Sequence, residues 1–271
     1  MAITLKNLEQ LKVMRQAGLV VYEGLEAVKK EIAPGVTTNH LNEVAIKVLK
    51  KNGAKSNFLN YHGYPAVICA SVNDEIVHGI PNQRKLEEGD ILSIDFGAII
   101  NGWHGDSAFT VAVGQVRSNE EAKLIQVCED SMWHGIAAAT VGGRLTDISH
   151  AIESYINSQG TYGILREYGG HGIGTAMHED PHVLNFGAAG LGPELQVGMV
   201  LAIEPMLTLG THKTKTLDDD WTVVSIDGSR GAHFEHSFAL LPDGKPFVLT
   251  SPDGGQEKLS SLGVAISDLL N

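Results

Sequence analysis

Gly89-Asp90-Ile91-Leu92-Ser93-Ile94-Asp95-Phe96-Gly97-Ala98-Ile99-Ile100 runs into Asn101-Gly102, and Trp103-His104-Gly105-Asp106 follows. Two strand-like runs flank a dipeptide whose residues both tolerate positive φ, as a two-residue type I′ hairpin requires. With that turn, Ile100 faces Trp103 and Asp95 faces Ala108. Asp106 then shares the face of Asp95 and lies diagonally from it, about 7–8 Å away at the backbone. Two carboxylates on one face of an apolar hairpin repel each other, and burying them uncompensated is costly. A metal ion between them removes the conflict. A solvated sheet face does so too, and the hairpin alone does not choose. A one-residue slip of register would put the pair on opposite faces.

Working upstream, apolar residues at helical spacing (Leu11, Met14, Ala17, Val21, Leu25, Val28) predict a long helix over residues 8–32, ended by Ala33-Pro34-Gly35. A second helix is expected over 38–52, with Leu41, Val44, Ala45, Val48 and Leu49 on one face and Gly53 as its stop. Residues 64–80 read as strand and loop, and a strand over 107–113 ends the first half. Downstream the pattern restarts. Ser118-Asn119-Glu120-Glu121 is a capping box for a helix reaching about residue 140. A further helix over 146–158 carries Ile148, Ala151, Ile152, Tyr155 and Ile156 on one face and stops at Gly160.

A shift of 107 positions superposes that face and stop on Leu41, Val44, Ala45, Val48, Leu49 and Gly53. A shift of 109 matches Gly198-Met199-Val200-Leu201-Ala202-Ile203-Glu204 to Gly89–Asp95, and His178-Glu179-Asp180-Pro181 resembles His78-Gly79-Ile80-Pro81 at a shift of 100. The expectation is a duplicated helix-helix-sheet unit, about 8–114 and 118–250, within one domain over 1–250. A pseudo-twofold between the copies brings Asp95 and Glu204 to equivalent places. Beyond them, 212–220 reads as a polar loop, 221–226 as a strand, 227–231 as a turn and 233–241 as the returning strand. Residues 251–271 are Gly/Ser-rich and read as a loosely attached tail.

The chain has 271 residues, 43% of them hydrophobic and 19% charged, with a net charge of −12. That charge argues against gripping nucleic acid or an anionic membrane. Two cysteines, Cys69 and Cys128, build neither a disulfide framework nor a Cys-rich zinc module. The start has no basic region followed by an apolar one, and no apolar run is long enough to span a bilayer. The reading is a reduced, soluble, cytoplasmic protein with no membrane partner.

Candidate ligands are Asp95, Asp106, His171, Glu204 and Glu235. Four carboxylates and a neutral imidazole carry a charge that two divalent ions balance. An oxygen-rich set with one nitrogen suits Mn²⁺, Fe²⁺ or Co²⁺, with Zn²⁺ also possible. In such binuclear hydrolases a water bridging the ions attacks a carbonyl that one ion polarises. His171 lies in Gly169-Gly170-His171-Gly172-Ile173-Gly174, whose glycines let backbone pass close to a crowded centre. His78 and His178, twins under the repeat, suit hydrogen bonds to the substrate amide or the tetrahedral intermediate. His178-Glu179-Asp180-Pro181-His182 matches the helical H-E-x-x-H zinc motif, but Pro181 opposes a helix there. His62, His104, His182, His233 and His236 are left as groups that could support the ligands.

Val77-His78-Gly79-Ile80-Pro81, Ser93–Gly97, Gly105-Asp106, Gly170–Gly174, His178–Pro181, Ile203-Glu204-Pro205 and Glu235-His236, in this order, closely resemble type I methionine aminopeptidases. The resemblance runs from the first helix to about residue 250. It implies the pita-bread fold, an α+β architecture of two related halves around an antiparallel sheet. It implies removal of initiator methionine from nascent chains, at or near the ribosome, when the second residue is small. By resemblance Asp95 holds one ion, Asp106 and Glu235 bridge both, and His171 and Glu204 complete the other. Glu204 shuttles the proton, His178 stabilises the developing gem-diolate, and His78 contacts the amide nitrogen after the scissile bond. Phe58, Tyr61, Tyr64, Cys69, Met177 and Trp221 line the methionine pocket. Met177 and Phe58 depart from the commoner pattern, which has an aromatic and a small residue there. Only 31 positions separate Glu204 from Glu235, leaving no room for the type II helical insertion, and no N-terminal zinc-finger extension is expected. The expected form is the short, bacterial-style monomer. The rivals are a proline-specific peptidase of the same fold and a binding-only relative that has lost its ligands.

Overall fold

The computed structural model describes residues 3–270. Helix α1 (Leu8–Glu31) opens on a reciprocal capping box between Asn7 and Gln10, and α2 (Thr38–Lys51) is capped by Thr37. Strands β1 (Lys55–Ser56), β2 (Ile68–Val72), β3 (Glu75–Val77), β4 (Ile91–Ile100) and β5 (Trp103–Ala112) complete the first half. The second half opens on α3 (Asn119–Ala138), where Ser118 accepts from the Glu121 N–H. The expected return bond from Glu121 is replaced by an ion pair with Arg230 at 3.1 Å. Then come α4 (Leu145–Gln159), β6 (Gly163–Ile164), β7 (Gly170–Gly172), β8 (Glu179–Val183), β9 (Val200–Ile203) and β10 (Met206–Thr208). Strands β11 (Thr214–Thr216), β12 (Val223–Ser225), β13 (Gly231–His233), β14 (Glu235–Leu240) and β15 (Pro246–Val248) lead to a short helix, α5 (Gln256–Ser261).

The main antiparallel sheet runs β1-β4-β5-β14-β9-β7-β8, with β2 also on β4 and β15 also on β14. The β4–β5 hairpin has the expected register: Ile100 opposes Trp103, Asp95 opposes Ala108, and Asn101 and Gly102 have φ of 49° and 83°. The seam between the halves is β5–β14, where Glu235 pairs with Ala108 and His236 with Ser107. Helices α1 and α2 enclose one apolar core with Phe96, Ile94 and Val72. Helices α3 and α4 enclose another with Leu201, Phe238 and Val248.

The repeat is visible in backbone bonds. Gly89 N–H donates to Val113 O and Val113 N–H to Asp90 O, while Gly198 N–H donates to Leu240 O and Leu240 N–H to Met199 O. Gly89 and Gly198 both have positive φ, 79° and 86°, which glycine adopts without strain.

Two expectations are corrected. Residues 221–226 and 233–241 do not pair as strand and return strand. β12 pairs with β11 and β3, and the 233–241 run breaks at Phe234 into β13, which pairs with β10, and β14 in the main sheet. Nor is the segment after Ser251 loose. Leu259 is fully buried against the second core, and the buried Arg15 guanidinium donates to the carbonyls of Leu249, Ser251 and Pro252. The glycines and serines there carry the chain around that guanidinium.

Candidate metal centre

Register alone aligns the acidic row. Cys69 opposes Asp95, Asp95 opposes Ala108, and Ala108 opposes Glu235, so four strands present these residues on one face. Asp106 joins that face from β5. Ile203 pairs with His236, which carries the next residue, Glu204, alongside Glu235. His171 opposes Ala202, two positions before Glu204 and hence on its face. Ala108, Ala202 and Ser237 on the same face are small and leave room above the sheet.

The local sequence makes this approach possible. A Cβ on Gly170 would lie 2.2 Å from Ala202 O, and one on Gly172 would lie 2.2 Å from Asp180 O. The glycines flanking His171 are therefore needed for strand contact on both sides. His171 Nδ1 donates to Gly172 O at 2.8 Å, which leaves Nε2 as the free lone pair, 3.6 Å from Glu204 Oε1.

Ligand atoms of Asp106, His171 and Glu235 lie within 4.8 Å of one another, and so do those of Glu204, His233 and Glu235. Asp106 is 3% and Glu235 2% exposed. Asp95 Oδ1, Asp106 Oδ1, Glu235 Oε1 and His233 Nε2 are buried without a hydrogen-bond partner. Burial pushes all four carboxyls up, and repulsion adds to it at Asp95 from Asp106 and Glu204, at Asp106 from Glu204, and at Glu235 from Asp106, Glu204 and Asp95. Burial pushes His171 down to about 3 and His233 to about 3, so both imidazoles are neutral. Orphaned carboxylate oxygens beside neutral imidazoles are a donor set that divalent cations fit, because the ions supply the charge and the bonds the protein leaves missing.

Above the centre lies a cavity of about 360 Å³. It is lined by all five candidate ligands, by His78 and His178, and by Phe58, Tyr61, Tyr64, Cys69, Met177 and Trp221. Phe58, Tyr64, Ala66, Cys69 and Met177 form an apolar cluster of their own, with Tyr61, Ile80 and Trp221 packed on it. Tyr64 and Trp221 meet edge to face at 5.0 Å. Tyr61 Oη is 2.7 Å from His178 Nδ1, and the His171 and His178 rings are 4.4 Å apart. His78 has φ of 62° and lies 6.2 Å from the Trp221 ring; burial pushes it down to about 4.

The H-E-x-x-H match is not helical. Residues 179–183 are strand β8, and His182 pairs with His171 through the backbone. His233 was read only as one of several supporting histidines, yet its Nε2 stands 3.4 Å from Glu204 Oε2. Its spacing of two from Glu235 was the available signal, since alternate residues of an extended run share a face. His236 points away from the centre, to Thr250 and Ser107.

A model of metallopeptidase family M24 matches residues 12–241. The methionine aminopeptidase of Clostridium acetobutylicum is 51% identical over 92% of this chain and 98% of its own length. Methionine aminopeptidase 1 of Bacillus subtilis is 47% identical over 89% and 97%. The methionine aminopeptidase structure from Thermotoga maritima superposes with a TM-score of 0.89 at 38% identity, covering 92% of this chain and all of that one. Prolidase from Pyrococcus furiosus, at 20% identity and a TM-score of 0.72, shares the fold. With a family match along most of its length and full-length relatives at about half identity, this chain belongs to metallopeptidase family M24, among the methionine aminopeptidases.

Proposed function

We propose that the cavity removes initiator methionine from nascent chains whose second residue is small. The observation that carries this reading is the junction of two surfaces in one cavity: the carboxylate–imidazole centre and the separate aromatic and sulfur cluster beside it. The cluster takes the methionine side chain, since aromatic rings and sulfur suit a flexible thioether. Two divalent ions (manganese, iron(II), cobalt or zinc), when bound, supply a Lewis acid and activate water near neutral pH. Asp95, Asp106, His171, Glu204 and Glu235 would hold them.

Glu204 takes the proton of the attacking water and delivers it to the leaving amine. His233, against its Oε2, fixes that carboxylate. The Tyr61 hydroxyl contacts His178 Nδ1; in the tautomer where it donates there, His178 has its proton on Nε2 for the oxygen that gains charge in the transition state. His78 contacts the amide nitrogen of the second residue.

The catalytic domain is built from repeats 8–114 and 118–250, with the segment after Ser251 packed on its second core. It works as a cytoplasmic monomer close to the ribosome, without a membrane partner or specific nucleic acid. The deciding experiment compares Met-Ala-Ser with an Xaa-Pro peptide on metal-loaded protein. Cleavage of Met-Ala-Ser is expected; preference for the proline peptide would overturn the assignment. Anomalous scattering from metal-soaked crystals counts and identifies the ions.

A further inference from the structure

The stretch 173–178 carries two groups central to the proposed reaction, Met177 and His178, yet Thr175, Ala176 and His178 are all exposed. What holds it is Glu179. One Glu179 oxygen accepts from the Thr175 N–H at 2.9 Å and the Ala176 N–H at 3.3 Å. The other accepts from Lys6 Nζ at 2.7 Å. Lys6 is 4% exposed, which lysine seldom is unless paired.

Lys6 is itself fixed from two sides. Its ammonium also donates to Thr4 O at 3.0 Å, and its backbone N–H donates to Gly198 O at 2.8 Å. A Cβ on Gly198 would come within 2.6 Å of Lys6 O, so the chain at Lys6 lies directly on the residue that leads into β9 and Glu204. A Cβ on Gly174 would lie 2.4 Å from Glu179 Oε1 and 2.7 Å from Lys6 Cε, so the loop closes tightly over the ion pair. Past His178, a second cavity of about 480 Å³ shares His171, His178 and His182 with the catalytic one and has Thr4 in its wall. The N-terminal segment thus borders the space beside the reacting groups.

We propose that Lys6, acting through Glu179, is a positioning residue that holds the His178 loop in its working place. The Lys6 ammonium holds one oxygen of the Glu179 carboxylate, which leaves the other aimed at the two loop N–H groups. A buried ion pair adds little net stability, but it fixes direction. The inference rests on the peptidase reading above only for its kinetic part.

The test uses full-length Lys6→Met, Lys6→Arg and Glu179→Gln, with Lys12→Met as a control because Lys12 pairs with Glu9 at the surface. Two readouts are taken: steady-state cleavage of Met-Ala-Ser by manganese-loaded protein, and amide hydrogen exchange at 174–178 without metal. In Lys6→Met, kcat is expected to fall about 10- to 100-fold, as for a displaced catalytic group. KM changes less than kcat, within about tenfold, because Phe58, Tyr64 and Cys69 lie on other elements and Met177 is the one pocket residue on the loop. Exchange at Thr175 and Ala176 accelerates at least about tenfold while the core is unchanged. Lys6→Arg restores both readouts. Lys6→Met/Glu179→Gln is no worse than the poorer single variant, as for two links of one chain.

The proposal is overturned if Lys6→Met keeps kcat within about twofold of wild type. It is equally overturned if exchange rises uniformly across the molecule and Lys6→Arg does not recover, since that is a general stability effect. Should Lys6→Met fail to fold, Glu179→Gln, which keeps the side-chain shape, decides by the same two readouts. Wild-type protein that does not cleave Met-Ala-Ser would sink the peptidase reading instead, and the exchange data would still judge Lys6.

Discussion

Asp106 concentrates a conflict between stability and function. It is buried among carboxylates with one oxygen unpartnered and its pKa pushed up. In Asp106→Asn peptidase turnover is expected to drop to background, because the proposed site loses a carboxylate. The same change removes a buried charge, so metal-free Asp106→Asn should unfold about 1–3 kcal/mol later than metal-free wild type in urea at pH 8. Retained turnover would show that the site is wrongly assigned. His233 gives a second test. In His233→Ala, Glu204 loses the ring 3.4 Å from its oxygen, and metal affinity by calorimetry should weaken about 10- to 100-fold. The five candidate ligands, which line one cavity, were legible because each is an acidic or imidazole group inside an apolar or glycine-rich run, where its chemistry is conspicuous. His233 was not singled out: its neighbour Glu235 drew the metal assignment, and a histidine beside it reads equally well as support.

Among the elements, those decided by local rules were legible and those decided at long range were not. Asn101-Gly102 fixes the β4–β5 register within four residues, and the 3.6-residue period fixes α1 to α4. The pairing of β12 with β3 joins Val223 to Val77, 146 positions apart, and no local signal reports it. The segment after Ser251 was misjudged for a related reason: its acceptors for Arg15 are backbone carbonyls, which every sequence has. Helix α1 holds a sharper test of packing. A Cβ at Gly18 would lie 2.2 Å from Leu249 O, where backbone cannot give way cheaply. Gly18→Ala is therefore expected to cost about 1–3 kcal/mol by urea unfolding, despite alanine's better helix propensity. Turnover per folded molecule should be retained, since Gly18 lies outside the catalytic cavity. A neutral or stabilising effect would mean that α1 packs less closely on the β15–α5 connection.

Over the whole molecule, the two halves meet where their charges collide. Asp95 and Asp106 come from the first repeat, and His171, Glu204 and Glu235 from the second. Cations at this seam therefore act as a staple between two cores as well as chemical agents. Protonation offers a way to read that staple. The carboxyls are raised, so the native metal-free protein holds protons that the unfolded chain releases, and its stability falls as pH rises above the ordinary carboxylate range. His78, His171 and His233 act the opposite way. Their pKa values are lowered to about 4, 3 and 3, so the stability they remove in acid returns as pH rises to their unfolded value near 6.5. At about pH 6.5 the unfolded histidines are half protonated and by about pH 7.5 they are neutral in both states, so the raised carboxyls set the direction of the slope. Protein stripped with chelator should therefore lose Tm between about pH 6.5 and 8.5, by about 2–4 °C for each kcal/mol of carboxylate repulsion. With excess manganese the fall should vanish or reverse, because deprotonated ligands bind tighter and a ligand at 100 Kd adds about 2.7 kcal/mol to the native state. A metal-free Tm that rises through this window would mean that the acidic residues do not share one dry site, and the staple would have nothing to hold.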